Sequence, residues 1–502
     1  MKDLTLRNIA KACGGELHLY NRGQEKAEVN GVVIDSRKIE AGNLFVATRG
    51  ERVDGHSFIP QVWEKGALCV ICEEDLADSA FVPEGIRGNY IVVKSSFQAL
   101  KDLAKFYRSV LKITVVGVTG SVGKTSTKEM IATVLSKRFN VQKTAGNFNN
   151  EVGLPLSIFS LREEHEVAVL EMGISDFGEM TRLSEIAKPD HVVITNIGPC
   201  HLEFLGDLDG VLRAKTEIFQ NRNPKGAVIL NGNDEKLRTI IDVNGTKPVY
   251  FGSCHNDEEK RAQKEGTAVR QLDIFATDIV SFGLEGTGCM VHTPKGDFPV
   301  RVPLPGIHMV DNALAATAVG LTLGMDISLI RDGISAVEGL SGRSHLIHTQ
   351  DYLLVDDCYN ANPKAMRAAI DLIRNAQGRK VAILGDMFEL GEGSEEMHAS
   401  VGEYARDKVD VLICCGTLSK HMYEAAKGGE QKTFWFETLE ELIAEIRRER
   451  QLKAAPIDWS KAPEQTMGLL EEDDTILIKA SHGMGFSKLL DALQEAVDET
   501  EG

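Results

Sequence analysis

Residues 113–126 put a glycine-rich turn between an apolar run and a helix-compatible segment. The order is Ile113, Thr114, Val115, Val116, Gly117, Val118, Thr119, Gly120, Ser121, Val122, Gly123, Lys124, Thr125 and Ser126. Glycines let successive backbone N–H groups curl round phosphate oxygens, and the following helix N-terminus adds positive potential. In such a loop Lys124 reaches the outer phosphates of a nucleotide and the Thr125 hydroxyl suits Mg²⁺. The spacing departs from the full motif, because Val118 stands where the first glycine is expected. The loop alone therefore reads as a phosphate cradle; it does not separate a ligase from a GTPase, an ATPase or a kinase. Glu171 closes a second apolar run, where a carboxylate at a strand end would face a ligand.

The elements that must position these groups follow from periodicity. Residues 1–108 carry short buried strands near 32–34, 44–47, 67–71 and 90–93, then a helix over 97–111. Residues 109–330 alternate strands at 113–117, 167–172, 192–195 and 227–231 with helices at 124–138, 178–186, 208–220 and 234–241. Shorter strands follow over 270–304, then a helix over 310–323. Residues 331–502 alternate again, with strands at 353–356, 381–384, 411–415 and 475–479 and a closing helix over 486–497. This predicts an α/β protein of three domains: a small α/β substrate domain (1–108), a central P-loop parallel-sheet ATPase domain (109–330) and a C-terminal Rossmann-like, doubly wound domain (331–502). Residues 451–474 read as a loop insertion.

Whole-chain properties narrow the class. The chain has 502 residues and a net charge of −18, which argues against nucleic acid or an anionic membrane as main partner. It shows neither an apolar signal core nor a membrane-length apolar stretch, so the expected location is cytoplasmic. Nine cysteines without repeating spacing suit a reducing compartment. Cys69 and Cys72 have CxxC spacing, but inside a strand-like run without a second pair they read as buried packing residues.

Several separated motifs then resemble the Mur ligase family. In the central part these are the phosphate loop, the run from Thr144 through Asn147, Asn149 and Asn150 to Pro155, Glu171-Met172-Gly173, Thr195 to Glu203 around His201, Ala214-Lys215-Thr216-Glu217, and Gly306 to Ala313 around His308 and Asn312. In the C-terminal part they are Gly342-Arg343, Asp356 to Pro363, and Leu384 to Gly391. Asp35-Ser36-Arg37 and the 50–59 segment extend the resemblance to the N-terminal part. The Tyr359-Asn360-Ala361-Asn362-Pro363 run points to the members that join D-alanyl-D-alanine to UDP-N-acetylmuramoyl-tripeptide. Two positions depart from that type: Ala480 and His482 stand where Gly and Arg are usual.

The resemblance implies an ATP-dependent amide ligase working through an acyl-phosphate, with ATP and two Mg²⁺ ions. It implies metal contacts from Thr125, Glu171, His201 and Lys215, the lysine carbamylated by CO₂, with Lys124, Glu171, His201 and Lys215 catalytic. Nucleotide contacts would come from Gly120 to Ser126, Asn231, His308, Asn312, Arg343 and one of Asp356 and Asp357. His308 and Asn312, four apart, would share a helix face. Ser36 and Arg37 would hold the uridine diphosphate, and Asn147, Asn149, Asn150, Asn360 and Asn362 the substrates. The expected partners are the UDP-linked tripeptide and D-alanyl-D-alanine, with no nucleic acid, no membrane insertion and a monomeric state. A P-loop GTPase lacks support because no Asn-Lys-x-Asp run occurs. The intact Lys124, Glu171, His201 and Lys215 argue against an inactive scaffold. The Tyr359–Pro363 run and the N-terminal motifs argue against two sister readings, the ligase that adds the third peptide residue and a folylpolyglutamate-type ligase.

Overall fold

The computed structural model describes the chain except residues 21, 51–52, 78–81, 83–86, 269–270, 375, 455–466 and 496–502. Half of the expected insertion at 451–474, the last two residues of the helix expected over 486–497, and part of the 50–59 motif lie outside the described residues. Contacts group the chain into two compact units. The first comprises Met1–Ile279, Cys289–Val300 and Val310–Val337; the second comprises Val280–Gly288, Arg301–Met309 and Glu338–Gly502.

Three sheets organise the chain. The N-terminal sheet orders its five strands Glu16–His18, Asn89–Val92, Cys69–Cys72, Leu44–Val46 and Val32–Val33. Its first pair is antiparallel and the other three pairs are parallel. Cys69 and Cys72 are buried, free thiols, and burial pushes Cys72 up to about 12, which fits packing rather than redox chemistry.

The central sheet has nine strands. Its last five strands in spatial order are Val228–Asn231, His191–Ile194, Thr114–Thr119, Val167–Glu171 and the edge strand Val141–Lys143, all parallel. Strands covered on both faces need continuous apolar runs, and Val167–Glu171 is buried at every position. The pairing places Val118 opposite Glu171 and Thr119 opposite Ile194, so the phosphate loop, Glu171 and the residues after Ile194 all leave the sheet at the carboxyl ends of its parallel strands. Helices Ser96–Val110, Lys124–Leu135, Gly153–Phe159, Glu179–Ala187 and Leu208–Thr216 accompany it. Ser95 caps the first of these through Gln98 N at 3.3 Å, and Asp207 caps the last through Gly210 N at 2.8 Å. One hydrophobic cluster runs from Leu4 to Val243, joining the N-terminal sheet to the central one. Tyr107 Oη donates to Leu161 O at 2.8 Å, and Arg108 donates to Ala187 O, Leu111 O and Ile113 O at 3.0–3.2 Å.

The second unit carries a six-stranded sheet ordered His345–His348, Tyr352–Asp356, Asp474–Lys479, Lys380–Gly385, Val411–Cys415 and Lys432–Phe436. All its pairs are parallel except the first.

Three local expectations change. The helix expected over 234–241 is a single 3₁₀ turn, Leu237–Thr239. Asp234 Oδ1 accepts from Lys236 N and Leu237 N, both at 2.9 Å, and Oδ2 accepts from Ile197 N at 2.7 Å. The carboxylate thus fixes a tight turn against the neighbouring loop. The helix expected over 208–220 becomes 3₁₀ from Glu217. Helix Met309–Thr322 begins one residue after His308, so His308 sits in the preceding turn and is not a helical residue.

Candidate active site on the central sheet

The phosphate loop is built by a close approach and a clamp. Gly120 has φ +150°, and a Cβ there would collide with Thr195 Oγ1. Gly123, at φ +80°, begins the helix in the left-handed region that glycine adopts freely. Ser121 Oγ donates to Gly198 O and accepts from Gly198 N, both at 2.9 Å. Val122 N donates to Asn196 Oδ1, and Val122 O accepts from Asn196 Nδ2, also at 2.9 Å. Thr195 Oγ1 adds a bond to Val122 O at 2.7 Å. Thr195 and Asn196 were legible only as part of a motif; their grip on the loop depends on two strand ends meeting in space.

Lys124 folds over the loop, with Nζ donating to Gly120 O at 3.0 Å and Ser121 O at 3.3 Å. Thr125 and Ser126 occupy the first helical turn. Thr127, not among the expected site residues, donates to Asn312 Oδ1 at 2.8 Å. That bond orients Asn312, which is 7% exposed, against the loop helix.

Glu171 is 2% exposed. Asn149 Nδ2 donates to its Oε1 at 2.8 Å, and its backbone N–H donates to Thr144 Oγ1 at 3.0 Å. Its Oε2 is buried with no hydrogen-bond partner among the described residues, 3.9 Å from Lys128 Nζ. An oriented anionic oxygen without a donor suits a hard divalent cation. No group of three or more His, Cys, Asp or Glu among the described residues could hold a metal alone. A cation at Glu171 would therefore also draw on the Thr125 hydroxyl and on ligand oxygens.

His201 is exposed, with φ +50° and ψ +35°, and its carbonyl accepts from Phe204 N and Leu205 N. A left-handed histidine ahead of a four-residue helix marks a backbone held by its surroundings. Lys215 lies on the helix Leu208–Thr216 and is 1% exposed. Burial first, and the positive charge of Lys124 second, depress its pKa to about 8.

Other expected residues have local roles in this unit. Asn150 Oδ1 accepts from Val152 N and Gly153 N, Asn231 Oδ1 accepts from Asn233 N, and Asn147 is exposed. Ser36 is buried, whereas Arg37 is 87% exposed and forms a two-pronged pair with Asp35, holding that carboxyl well below its ordinary value at about 2.

The second unit gathers its own candidates at the strand ends after Asp356 and Lys479. Asp356 is fully buried, and its Oδ2 accepts from Gly342 N at 2.6 Å and Ser341 Oγ at 3.0 Å. It builds the turn that presents Arg343, whose guanidinium lies 4.3 Å from the Tyr359 ring centroid. Asp357 accepts from Ser344 N at 3.0 Å and from the buried Lys479 ammonium at 2.7 Å. Burial pushes its carboxyl up against the pull of Lys479. Lys479 also donates to Asn360 O at 2.8 Å. Asn362 caps the helix Pro363–Ile373 through Ala365 N at 2.9 Å. Both departures have a visible setting: the buried Ala480 methyl fills space that Gly385 leaves, and the His482 ring lies 5.6 Å from Tyr359.

A nucleotide-type loop opposite a buried, underbonded glutamate, on a parallel sheet joined to an N-terminal α/β sheet and followed by a separate parallel-sheet unit, defines a class. The Mur ligase middle domain matches residues 118–320, the Mur ligase glutamate ligase domain residues 342–482, and the Mur ligase family catalytic domain residues 28–108. The chain belongs to the Mur ligase family. It is 35% identical to the UDP-N-acetylmuramoyl-tripeptide–D-alanyl-D-alanine ligase of Bacillus subtilis strain 168, over 98% of both chains. A crystal structure of MurF from Acinetobacter baumannii matches with TM-score 0.83 and 31% identity, covering 98% of this chain and 99% of that one. The MurF ligase of Thermotoga maritima in complex with ADP matches with TM-score 0.72 and 28% identity, covering 92% and 97%.

Proposed function

We propose that this protein joins D-alanyl-D-alanine to UDP-N-acetylmuramoyl-tripeptide at the expense of ATP, giving the pentapeptide precursor of peptidoglycan. The observation that carries the reading is the buried Glu171 carboxylate, with Oε2 lacking a donor among the described residues, paired in register beside the strand that opens into the phosphate loop. Near full-length similarity to the Bacillus subtilis ligase supports the choice of substrates.

In this reading the tripeptide carboxylate attacks the γ-phosphorus of ATP. The bond to the bridging oxygen breaks, ADP leaves, and an acyl-phosphate forms. The amine of D-alanyl-D-alanine then attacks the acyl carbon, loses a proton, and inorganic phosphate departs. Phosphoryl transfer of this kind relies on positioning and on positive charge around the transferred group. The Gly120–Ser126 backbone and Lys124 hold the phosphates. Thr125 and Glu171 would hold one Mg²⁺, and His201 with a carbamylated Lys215 a second; these ions neutralise phosphate charge when bound. The chemistry of Lys215 suits carbamylation, because a buried amine with a pKa near 8 has a neutral fraction at ordinary pH that can add to the carbon of CO₂ with loss of a proton. Asn312 is assigned to adenine, with His308, Asn231, Arg343 and Asp357 as further nucleotide contacts. Of the two adjacent carboxylates, Asp356 is assigned to support of the Arg343 turn. Ser36 and Arg37 are assigned to the uridine diphosphate. Asn149 is assigned to orienting Glu171, and Asn147, Asn150, Asn360 and Asn362 to the walls of the substrate sites.

In this reading the chain has functional parts at 1–108, 109–330 and 331–502 and acts as a monomer in the cytoplasm. Among the described residues no helix is long and apolar enough to cross a membrane. Phosphate release by the purified protein tests the reading. Release should require ATP, the UDP-tripeptide and D-alanyl-D-alanine together; comparable turnover with either acceptor or donor omitted rejects it.

A further inference from the structure

Lys128 is a buried cation that the proposed reaction does not use. It lies one helical turn beyond Lys124 and is 1% exposed. Its Nζ donates to Thr144 O at 2.7 Å, and lies 3.1 Å from Glu129 Oε1 and 3.9 Å from Glu171 Oε2. Asn149 already orients the Glu171 carboxylate through Oε1, and Thr144 fixes the Glu171 backbone N–H. Lys128 is therefore not needed to aim the carboxylate. Its distance to Oε2 is too long for a hydrogen bond, yet Coulomb attraction across it is substantial in a water-poor site. Thr144 and Glu129 hold the ammonium back, so the charge of Oε2 is balanced while its lone pairs stay open.

We propose that Lys128 is a positioning residue for the cation site at Glu171. It is a fixed countercharge, shared with Glu129, that balances the buried carboxylate and limits how tightly the site grips a divalent cation. The inference rests on the Mg²⁺ reading above. A fixed positive charge opposes an incoming cation, which favours release of the metal–nucleotide product after each turnover. Removing that charge should tighten metal binding even as it destabilises the metal-free protein. A purely structural tether would do only the latter.

The test is the thermal midpoint of the full-length protein with saturating ADP, across a Mg²⁺ titration. The unsubstituted protein should show a Mg²⁺-dependent rise. Lys128→Met should melt lower in chelator and reach its half-maximal rise at about tenfold less Mg²⁺. Lys128→Arg, which keeps the charge, should track the unsubstituted protein. Glu129→Gln removes the competing carboxylate, whose side chain is 12% exposed. It hands Lys128 to Glu171 and should raise the Mg²⁺ requirement severalfold, an opposite shift that stands even if Lys128→Met fails to fold. Variants that melt lower at every Mg²⁺ concentration, with the half-maximal point unmoved, overturn the inference. An ADP-bound midpoint indifferent to Mg²⁺ in the unsubstituted protein would instead remove the metal site on which it stands.

Discussion

Lys215 sets the most direct test at the scale of single residues. Its ordinary pKa of 10.5 falls to about 8 in the folded protein. Below pH 8 the native and unfolded chains both hold the proton, and the native state carries the whole cost of a buried charge. Between about pH 8 and 10.5 the unfolded chain binds a proton that the native chain has released, so this group makes stability rise with pH across that window. The full effect is about 3 kcal/mol. In CO₂-depleted buffer, Lys215→Met should therefore melt higher than the unsubstituted protein at pH 7, and the gap should close by pH 10.5. Turnover should move the other way: Lys215→Ala should lose about 10²-fold or more, with partial recovery in short carboxylates. Full activity in Lys215→Ala would eliminate the carbamate. Asp356 and Asp357 illustrate how adjacent carboxylates part company. One is sealed under the Gly342 amide and the other meets a lysine with part of its surface open.

At the scale of elements, the phosphate loop depends on the strand His191–Ile194 and the residues that follow it. Asn196→Ala would break both bonds to the Val122 peptide group. We expect a stability loss of about 1–2 kcal/mol and an ATP KM raised about tenfold, with kcat changed less, because the loop would lose its preformed curl. Equal KM values for the two proteins would show that Ser121 and Thr195 suffice. The loop itself was legible because glycine, lysine and threonine spacing acts locally. Glu171 was legible because a charged residue ending an apolar run is conspicuous. The Asn196 clamp, the Thr127–Asn312 bond and the Lys128 cluster were not, since each joins residues distant in the chain that only the folded sheet brings together. The turn at Asp234 was misread for the same reason: part of its carboxylate is engaged by Ile197, 37 residues upstream. In the N-terminal part, the helix Leu6–Cys13 and the strand Glu16–His18 went unseen, being short elements with mixed polarity.

At the scale of the molecule, largely parallel sheets followed from alternating strand and helix signals, while the order of the strands and the extent of each cooperative core did not. The helix Ser96–Val110 buries Leu100, Leu103, Ala104 and Tyr107 in the cluster that also holds Val115, Leu154 and Ile158. A fragment ending at residue 108 would expose that face and sever Arg108 from Ala187. Residues 1–108 produced alone should be largely unfolded by circular dichroism, and should regain structure when produced together with the remainder. A cooperative thermal transition from the isolated fragment would contradict this.

That continuous core also bears on how such ligases diversify. Where a compartment that selects one substrate is tethered by a polar linker, evolution or an engineer can exchange it as a cassette. Here the Arg108 guanidinium reaches three carbonyls that follow it in the chain, those of Leu111, Ile113 and Ala187, and the Tyr107 hydroxyl a fourth. A transplanted N-terminal part would have to arrive with a matching underside. New preferences for the UDP-linked substrate should therefore accumulate by point substitution around a preserved seam, and chimeras cut at residue 108 should fail unless the seam residues travel with the graft.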